Sequence, residues 1–385
     1  MKLPFLSTFT DMSFCTFRNV VFSLVTIAVL GCSKPISKNE QTQIEKANRG
    51  KVSPELKQRC QKIVADSINN PTSEQAFPLK LYRSSLLPIE EAKPLFMQAL
   101  KSKDAEIRLI ASELLVEKSP MQFQDEISTS LKEINVSKKT SHAVRRAVVL
   151  MKMGNESSKK EVKHLAEHEL ISLKSDDWIC PMMCAKPSEK AGRCPVCEMA
   201  LKNRPRSANY DDWKAKLLAV QALQKSGQQV SSIARAIMVS DAPAKVRIEA
   251  AGLWAKEDTE EALRHLKFYV QSDHPYLVLM LMGDHAAKDC VDEFKHFARP
   301  ETGSIYEFEA YRGLLLAGET NCLPQIRKWV DQKATTDDAR RYKVIGIHLL
   351  GVLLLKEDVT RLEKILDTDL KVEAAEAILW QKLRN

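Results

Sequence analysis

Aromatic residues make up only 6% of this 385-residue chain, and glycines number only 12. Sheets draw on aromatic and β-branched side chains and on glycine-rich turns, so both shortages argue against an all-β protein. There is no glycine-rich phosphate loop, no nucleophile elbow and no second cluster of histidines and carboxylates. The common signatures of nucleotide-binding and acyl-transfer enzymes are therefore missing, and no enzymatic activity is expected. The net charge of +8 is spread along the chain, without a basic stripe interleaved with aromatics. That pattern describes a solvated helical surface, and nucleic acid is not expected as a partner. What the chain does have is 44% apolar residues and long runs rich in Leu, Ala, Glu, Lys and Arg. These are helix formers, and the length suffices for several domains or one extended repeat array.

The amino end reads as a targeting segment. Arg18 precedes the apolar run Val20 to Leu30, which ends at Gly31-Cys32-Ser33. Such a run suits a signal peptide and is short for a membrane span. The residues Val29-Leu30-Gly31-Cys32 resemble the lipobox of bacterial lipoproteins. That resemblance implies a signal peptide over 1–31, cleavage before Cys32 and lipid modification of Cys32. It places the mature chain in the bacterial cell envelope, tied to a lipid membrane and facing the periplasm or exterior. Ser33 leans towards the outer membrane by the rule that holds for such lipoproteins. Residues 32–52 are polar without an apolar period and read as a flexible tether. Ser53-Pro54-Glu55 then has the composition of a helix start, with Leu56, Cys60, Ile63, Val64 and Ile68 following at helical spacing.

From residue 88 onward helix-like pairs recur about every 30 to 37 residues, a spacing that suits two-helix repeats. Asp104 precedes Ile107-Arg108-Leu109-Ile110-Ala111, and Asp241 precedes Val246-Arg247-Ile248-Glu249-Ala250. His142-Ala143-Val144-Arg145-Arg146-Ala147 is a looser copy. The shared D-x-x-[VI]-R-x-x-A pattern resembles HEAT repeats. It implies an all-α fold, a HEAT-like α-solenoid of helical hairpins, over 53–173 and 208–385. Its aspartates and arginines would join repeats, and its surface would receive a protein partner. Between Val144 and Trp213 the rhythm breaks by about one full period. Residues 174–207 are therefore expected to leave the array as a small, mostly non-helical insert.

That insert holds four of the nine cysteines. Cys180 and Cys184 form a C-x3-C pair; Cys194 and Cys197 form a C-x2-C pair. Pro181 and Pro195 follow the first cysteine of each pair, and Gly192 precedes the second. Two short thiolate knuckles joined by a hairpin suit one tetrahedral metal ion, as in zinc ribbons. An oxidising compartment leaves a second use open, two disulfides, with pairing between knuckles less strained than within them. Trp178, Cys180, Pro181, Met182, Gly192, Cys194, Pro195, Cys197, Met199 and Leu201 resemble the small heavy-metal-binding domain found beside copper and other heavy-metal efflux proteins. The resemblance implies a metal-binding insert and a link to metal handling. Met183, Cys184 and Glu198 depart from its usual histidine, proline and glycine. The departures remove a nitrogen ligand and add a fourth thiolate, and a closed four-sulfur set favours structural zinc. Met182, Met183 and Met199 are candidate further donors whose softness favours Cu(I), with packing as the other use. Glu198 makes a left-handed turn after Cys197 more costly than glycine would.

Other chemistry is thin. His164, Glu167 and His168 spell H-x-x-E-H, a metalloprotease string, but no third carboxylate ligand follows on a later helix. Cys60 reads as core. Cys290 and Cys322 lie about one repeat apart, so stacking could bring them near each other. The chain thus reads as a lipid-anchored helical-repeat scaffold that binds zinc, or copper, through its insert.

Overall fold

The computed structural model of the chain describes residues 50–69, 77–119, 121–134, 140–167, 177–180, 188, 191–204, 210–240, 242–271, 274–299 and 305–380. The signal segment, Cys32 and most of the expected tether lie outside these residues. Among the described residues, no helix is long and apolar enough to cross a membrane. The fold is all-α, built of helical hairpins stacked side by side, apart from the insert.

The helices fall into two compact units. The first opens with α1 (Pro54–Asn69), α2 (Phe77–Ser84), α3 (Ile89–Leu100), α4 (Ala105–Lys118) and α5 (Gln124–Lys132). The second unit, Asn135–Ala250, holds α6 (Thr140–Lys152), α7 (Glu156–Glu167), α8 (Tyr210–Lys225) and α9 (Ser231–Met238). α10 (Ala244–Ala255) crosses the boundary. The first unit then resumes with α11 (Thr259–Tyr269), α12 (Pro275–Ala286), α13 (Val291–Phe297), α14 (Ile305–Ala317), α15 (Leu323–Asp331), α16 (Asp337–Leu353), α17 (Lys356–Ile365) and α18 (Lys371–Leu379).

Local chemistry explains many helix starts. Ser53 accepts the Leu56 N–H at 3.1 Å and opens α1, whose Leu56, Cys60, Val64 and Ile68 are buried on one face. Asp104 accepts the Glu106 N–H at 2.8 Å ahead of α4, and Thr336 accepts the Ala339 N–H at 3.2 Å ahead of α16. Asp104 of the repeat pattern is therefore a helix cap, and Asp241 lies outside the described residues. Arg108 of the same pattern is a tie to the next helix: from α4 it donates to the Ser130 carbonyl of α5 and pairs with Glu133 just beyond it. Arg312 on α14 is a buried version of the same device. It pairs with Asp284 of α12 at 2.7 Å and Glu309 at 2.6 Å, and donates to the Met280 carbonyl at 2.9 Å. Those two carboxylates hold its charge against the burial that opposes it.

The first unit joins segments from opposite ends of the sequence. α1 packs on α18, α18 on α16, α16 on α14 and α14 on α12. Gly50 begins the contact: it is buried, its N–H donates to the Leu354 carbonyl at 2.8 Å, and a Cβ there would meet Val359 at 2.3 Å. At Gly351 a Cβ would lie 2.8 Å from the Ala377 carbonyl, so the small residue lets α16 approach α18. Inside this seam Arg83 of α2 pairs with Glu376 of α18, both almost free of solvent. Beside them His348 of α16 is held near pKa 4 by burial and by the Arg83 charge. Breaking a buried ion pair by removing one partner strands the other charge, at a cost of about 3–5 kcal/mol. Glu376→Ala is therefore expected to lower stability by that order in urea denaturation, more than Asp367→Ala at the exposed Arg59–Asp367 pair.

In the second unit α6, α7 and α8 pack on one another. The first turn of α8 caps α6. Asp212 accepts from the Thr140 hydroxyl at 2.8 Å, and Asp211 accepts from the Ser141 N–H at 3.1 Å and from the Ser141 hydroxyl. Burial opposes the Asp211 charge, but the bonds from Ser141 and Thr140 outweigh it and hold the carboxyl below the ordinary range. The two helices that flank the insert in sequence, α7 and α8, are thus held in contact within one unit. A carboxyl lowered on folding adds stability above its unfolded value, near pH 4, and loses it as pH falls through the lower folded value. Asp211→Ala is expected to cost about 1 kcal/mol at pH 7. The deficit relative to the parent chain should shrink on acidification below about pH 3, measured by denaturation at both pH values.

Candidate metal centre

Between α7 and α8 the chain leaves the helices. β1 (Asp177–Ile179) and β2 (Lys202–Arg204) pair antiparallel, with Trp178 opposite Asn203. Trp178 also exchanges two backbone hydrogen bonds with Ser188, at 2.8 and 2.9 Å. Inside this ribbon sits a second, tighter hairpin. The Leu201 N–H donates to the Gly192 carbonyl at 2.9 Å, and Arg193 bridges to Ala200. The Cys194 N–H donates to the Met199 carbonyl at 2.9 Å, and the Glu198 N–H returns to the Cys194 carbonyl at 2.9 Å. The turn Pro195–Cys197 fills the apex.

This geometry gathers three sulfurs. The Sγ atoms of Cys180, Cys194 and Cys197 all lie within 4.8 Å of one another. Cys180 and Cys197 are 3.3 Å apart, and all three are free thiols. Four thiolates around one zinc at about 2.3 Å place neighbouring sulfurs about 3.8 Å apart, so the three fit three corners of a single tetrahedral ion with small adjustments. The Val196 N–H reaches the Cys194 sulfur at 3.4 Å and fixes its position. Cys180 and Cys194 are each 1% exposed, whereas Cys197 is exposed as a residue, with its sulfur partly covered where it meets Cys180.

The segment's own core explains why sulfur matters. Cys180, Cys194 and Leu201 are its buried residues, with Trp178 packed against them. One leucine and a half-buried tryptophan contribute only a few kcal/mol of apolar burial, about 2–3 each, too little to order a strand-and-turn segment alone. The three gathered thiols are the groups through which a bound metal ion would add cohesion, as in small metal-stabilised knuckles.

Of the other residues singled out from sequence, Cys184, Met182 and Met183 lie outside the described residues. Met199 lies at the hairpin with its side chain 43% exposed. His164 and Glu167 both sit on α7, where Glu167 pairs with Lys163 at 3.7 Å; His168 lies outside the described residues. Cys290 and Cys322 are free thiols, and burial pushes them up to about 12 and about 11. Cys60 is likewise pushed up to about 12 by burial in α1, which suits a core thiol.

Glu198 occupies the left-handed region, with φ at 59°. A residue with a Cβ carries about 1–2 kcal/mol of strain there, which glycine would not. Sequence reasoning anticipated the cost; the hairpin shows why the turn is required, since the Glu198 N–H must return to the Cys194 carbonyl. Glu198→Gly is expected to tighten zinc binding by about fivefold, equivalent to about 1 kcal/mol, in competition titrations against a chromogenic chelator.

Residues 178–204 match the family described as the heavy metal binding domain. The match covers the ribbon and the hairpin and stops short of the helices on either side. No curated protein and no solved structure matches the chain.

Proposed function

We propose that this chain is a lipid-anchored protein of the bacterial cell envelope whose HEAT-like helical repeats act as a protein-interaction scaffold and whose insert holds zinc in a four-thiolate site. The observation that supports it most directly is the gathering of Cys180, Cys194 and Cys197 inside a segment matching the heavy metal binding domain. Cys184 supplies the fourth sulfur in this reading, closing the site and leaving no position open for a reacting water. The lipobox-like residues ending at Cys32 support the anchor, and the repeated aspartate and arginine pattern supports the scaffold.

A second reading, exchangeable Cu(I) handling linked to metal efflux, draws support from the exposed residue Cys197 and from the methionines around the knuckles. Elemental analysis of purified chain lacking residues 1–32 separates the two. The first reading expects one tightly held zinc per chain, with Cys184→Ser losing most of it and destabilising the insert. Unchanged metal content in Cys184→Ser would sink the four-thiolate site. Copper retained under reducing conditions, with the insert still folded after metal removal, would support the second reading instead.

A further inference from the structure

The three sulfurs are not equivalent. Cys194 is held on several sides: its N–H and carbonyl are both bonded within the hairpin, and the Val196 N–H caps its sulfur. Cys180 follows directly on β1, whose register is set by pairing with β2 and by the Trp178–Ser188 bonds. Both sulfurs are buried. Cys197 instead stands at the apex of the turn, exposed as a residue, with Val196 66% and Met199 43% exposed beside it in sequence. The next residue is the strained Glu198. Exposed Arg193 and Lys202 lie on the same hairpin and lend it positive charge.

We infer that Cys197 is the exchange corner among the three described sulfurs, the one of them through which a thiol-bearing acceptor takes the metal from this chain or delivers it. The inference rests on the metal-binding reading above. A buried sulfur can be replaced only if the hairpin opens first. A partly exposed one can be displaced from outside while Cys180 and Cys194 keep hold of the ion. In that step the acceptor's sulfur forms a new bond to the metal with its own electron pair as the bond from Cys197 breaks. The proton released by the acceptor thiol ends on the Cys197 sulfur, and nothing is oxidised or reduced. Relaxation of the left-handed turn at Glu198 favours release on the Cys197 side, because the strain sits one residue away. Arg193 and Lys202, set against the single carboxylate of Glu198, leave this segment net positive and favour an anionic thiolate acceptor, and its apolar rim, Val196 and Met199, favours one with an apolar contact surface.

The test uses zinc-loaded full-length chain in detergent with 2,3-dimercaptopropanesulfonate as the soluble dithiol acceptor. Zinc content is measured first, then transfer is started and newly freed thiols are trapped with brief pulses of iodoacetamide and mapped by mass spectrometry. The expected result is transfer first order in acceptor, with Cys197 freed ahead of Cys180 and Cys194 by about tenfold, a difference of about 1.4 kcal/mol in barrier. Lys202→Glu, which reverses one of the positive charges on this segment, should slow transfer severalfold at low salt without lowering zinc content, and added salt should restore the rate. Zinc retained but with all three thiols freed together, or with Cys180 or Cys194 first, overturns the exchange corner and leaves the metal site standing. Absence of bound zinc overturns both.

Discussion

A helix of three turns with one apolar face cannot keep that face in water, and in this chain the neighbouring hairpin covers it. In the first unit the demand is strongest at α12, α14 and α16, which pack in series. α12 buries Leu277, Val278, Leu279, Met280 and Met282, residues that point around most of its circumference. Helices apolar on nearly every side must be enclosed by others: α12 is packed by α11 and α14, and at the other end of the series α16 packs on α18, which α1 from the far end of the sequence covers. Two arginines drawn into this packing are paired: Arg312 with Asp284 and Glu309, Arg83 with Glu376. Such pairs add little over an apolar core, but each makes the wrong neighbour costly. They therefore help define which helices sit together.

The insert solves the same problem by other means. It has too few apolar residues to form a core, so its backbone is ordered by short-range hydrogen bonds and its interior is filled by sulfur. The hairpin between Gly192 and Leu201 sets the position of Cys194 and Cys197, and the β1–β2 ribbon carries Cys180 to them. Even the strained turn at Glu198 follows from this requirement, because straightening it would break the bond to the Cys194 carbonyl. In the structural-zinc reading, stability and metal binding of the insert would be coupled.

The division also orders the functional possibilities. The helical units offer surfaces and thiols that burial keeps protonated; the insert offers the one gathering of soft donors among the described residues. Partner recognition on the helices and metal exchange at the knuckle, both as proposed, would therefore be separable. Substitutions at the knuckle should leave the helical packing intact.

Sequence alone determined the class of fold and the place of the chemistry. Helix-forming composition and the Ser53-Pro54-Glu55 start are local signals, written within a few residues or a few turns, and the structure realises them in the all-α fold and in α1. The two cysteine pairs and the break in the repeat were equally local. What lay beyond the sequence was every contact whose partners are far apart in number. No periodicity announces that Gly50 bonds to Leu354, that Arg83 meets Glu376, or that Asp211 caps Ser141. Nor does spacing say which cysteine of a knuckle is buried and which is exposed, since that depends on the direction the hairpin turns and on what packs behind it. Chain-local propensities choose the elements; only the burial of their faces against one another decides the neighbours, and with them the partly exposed sulfur of Cys197.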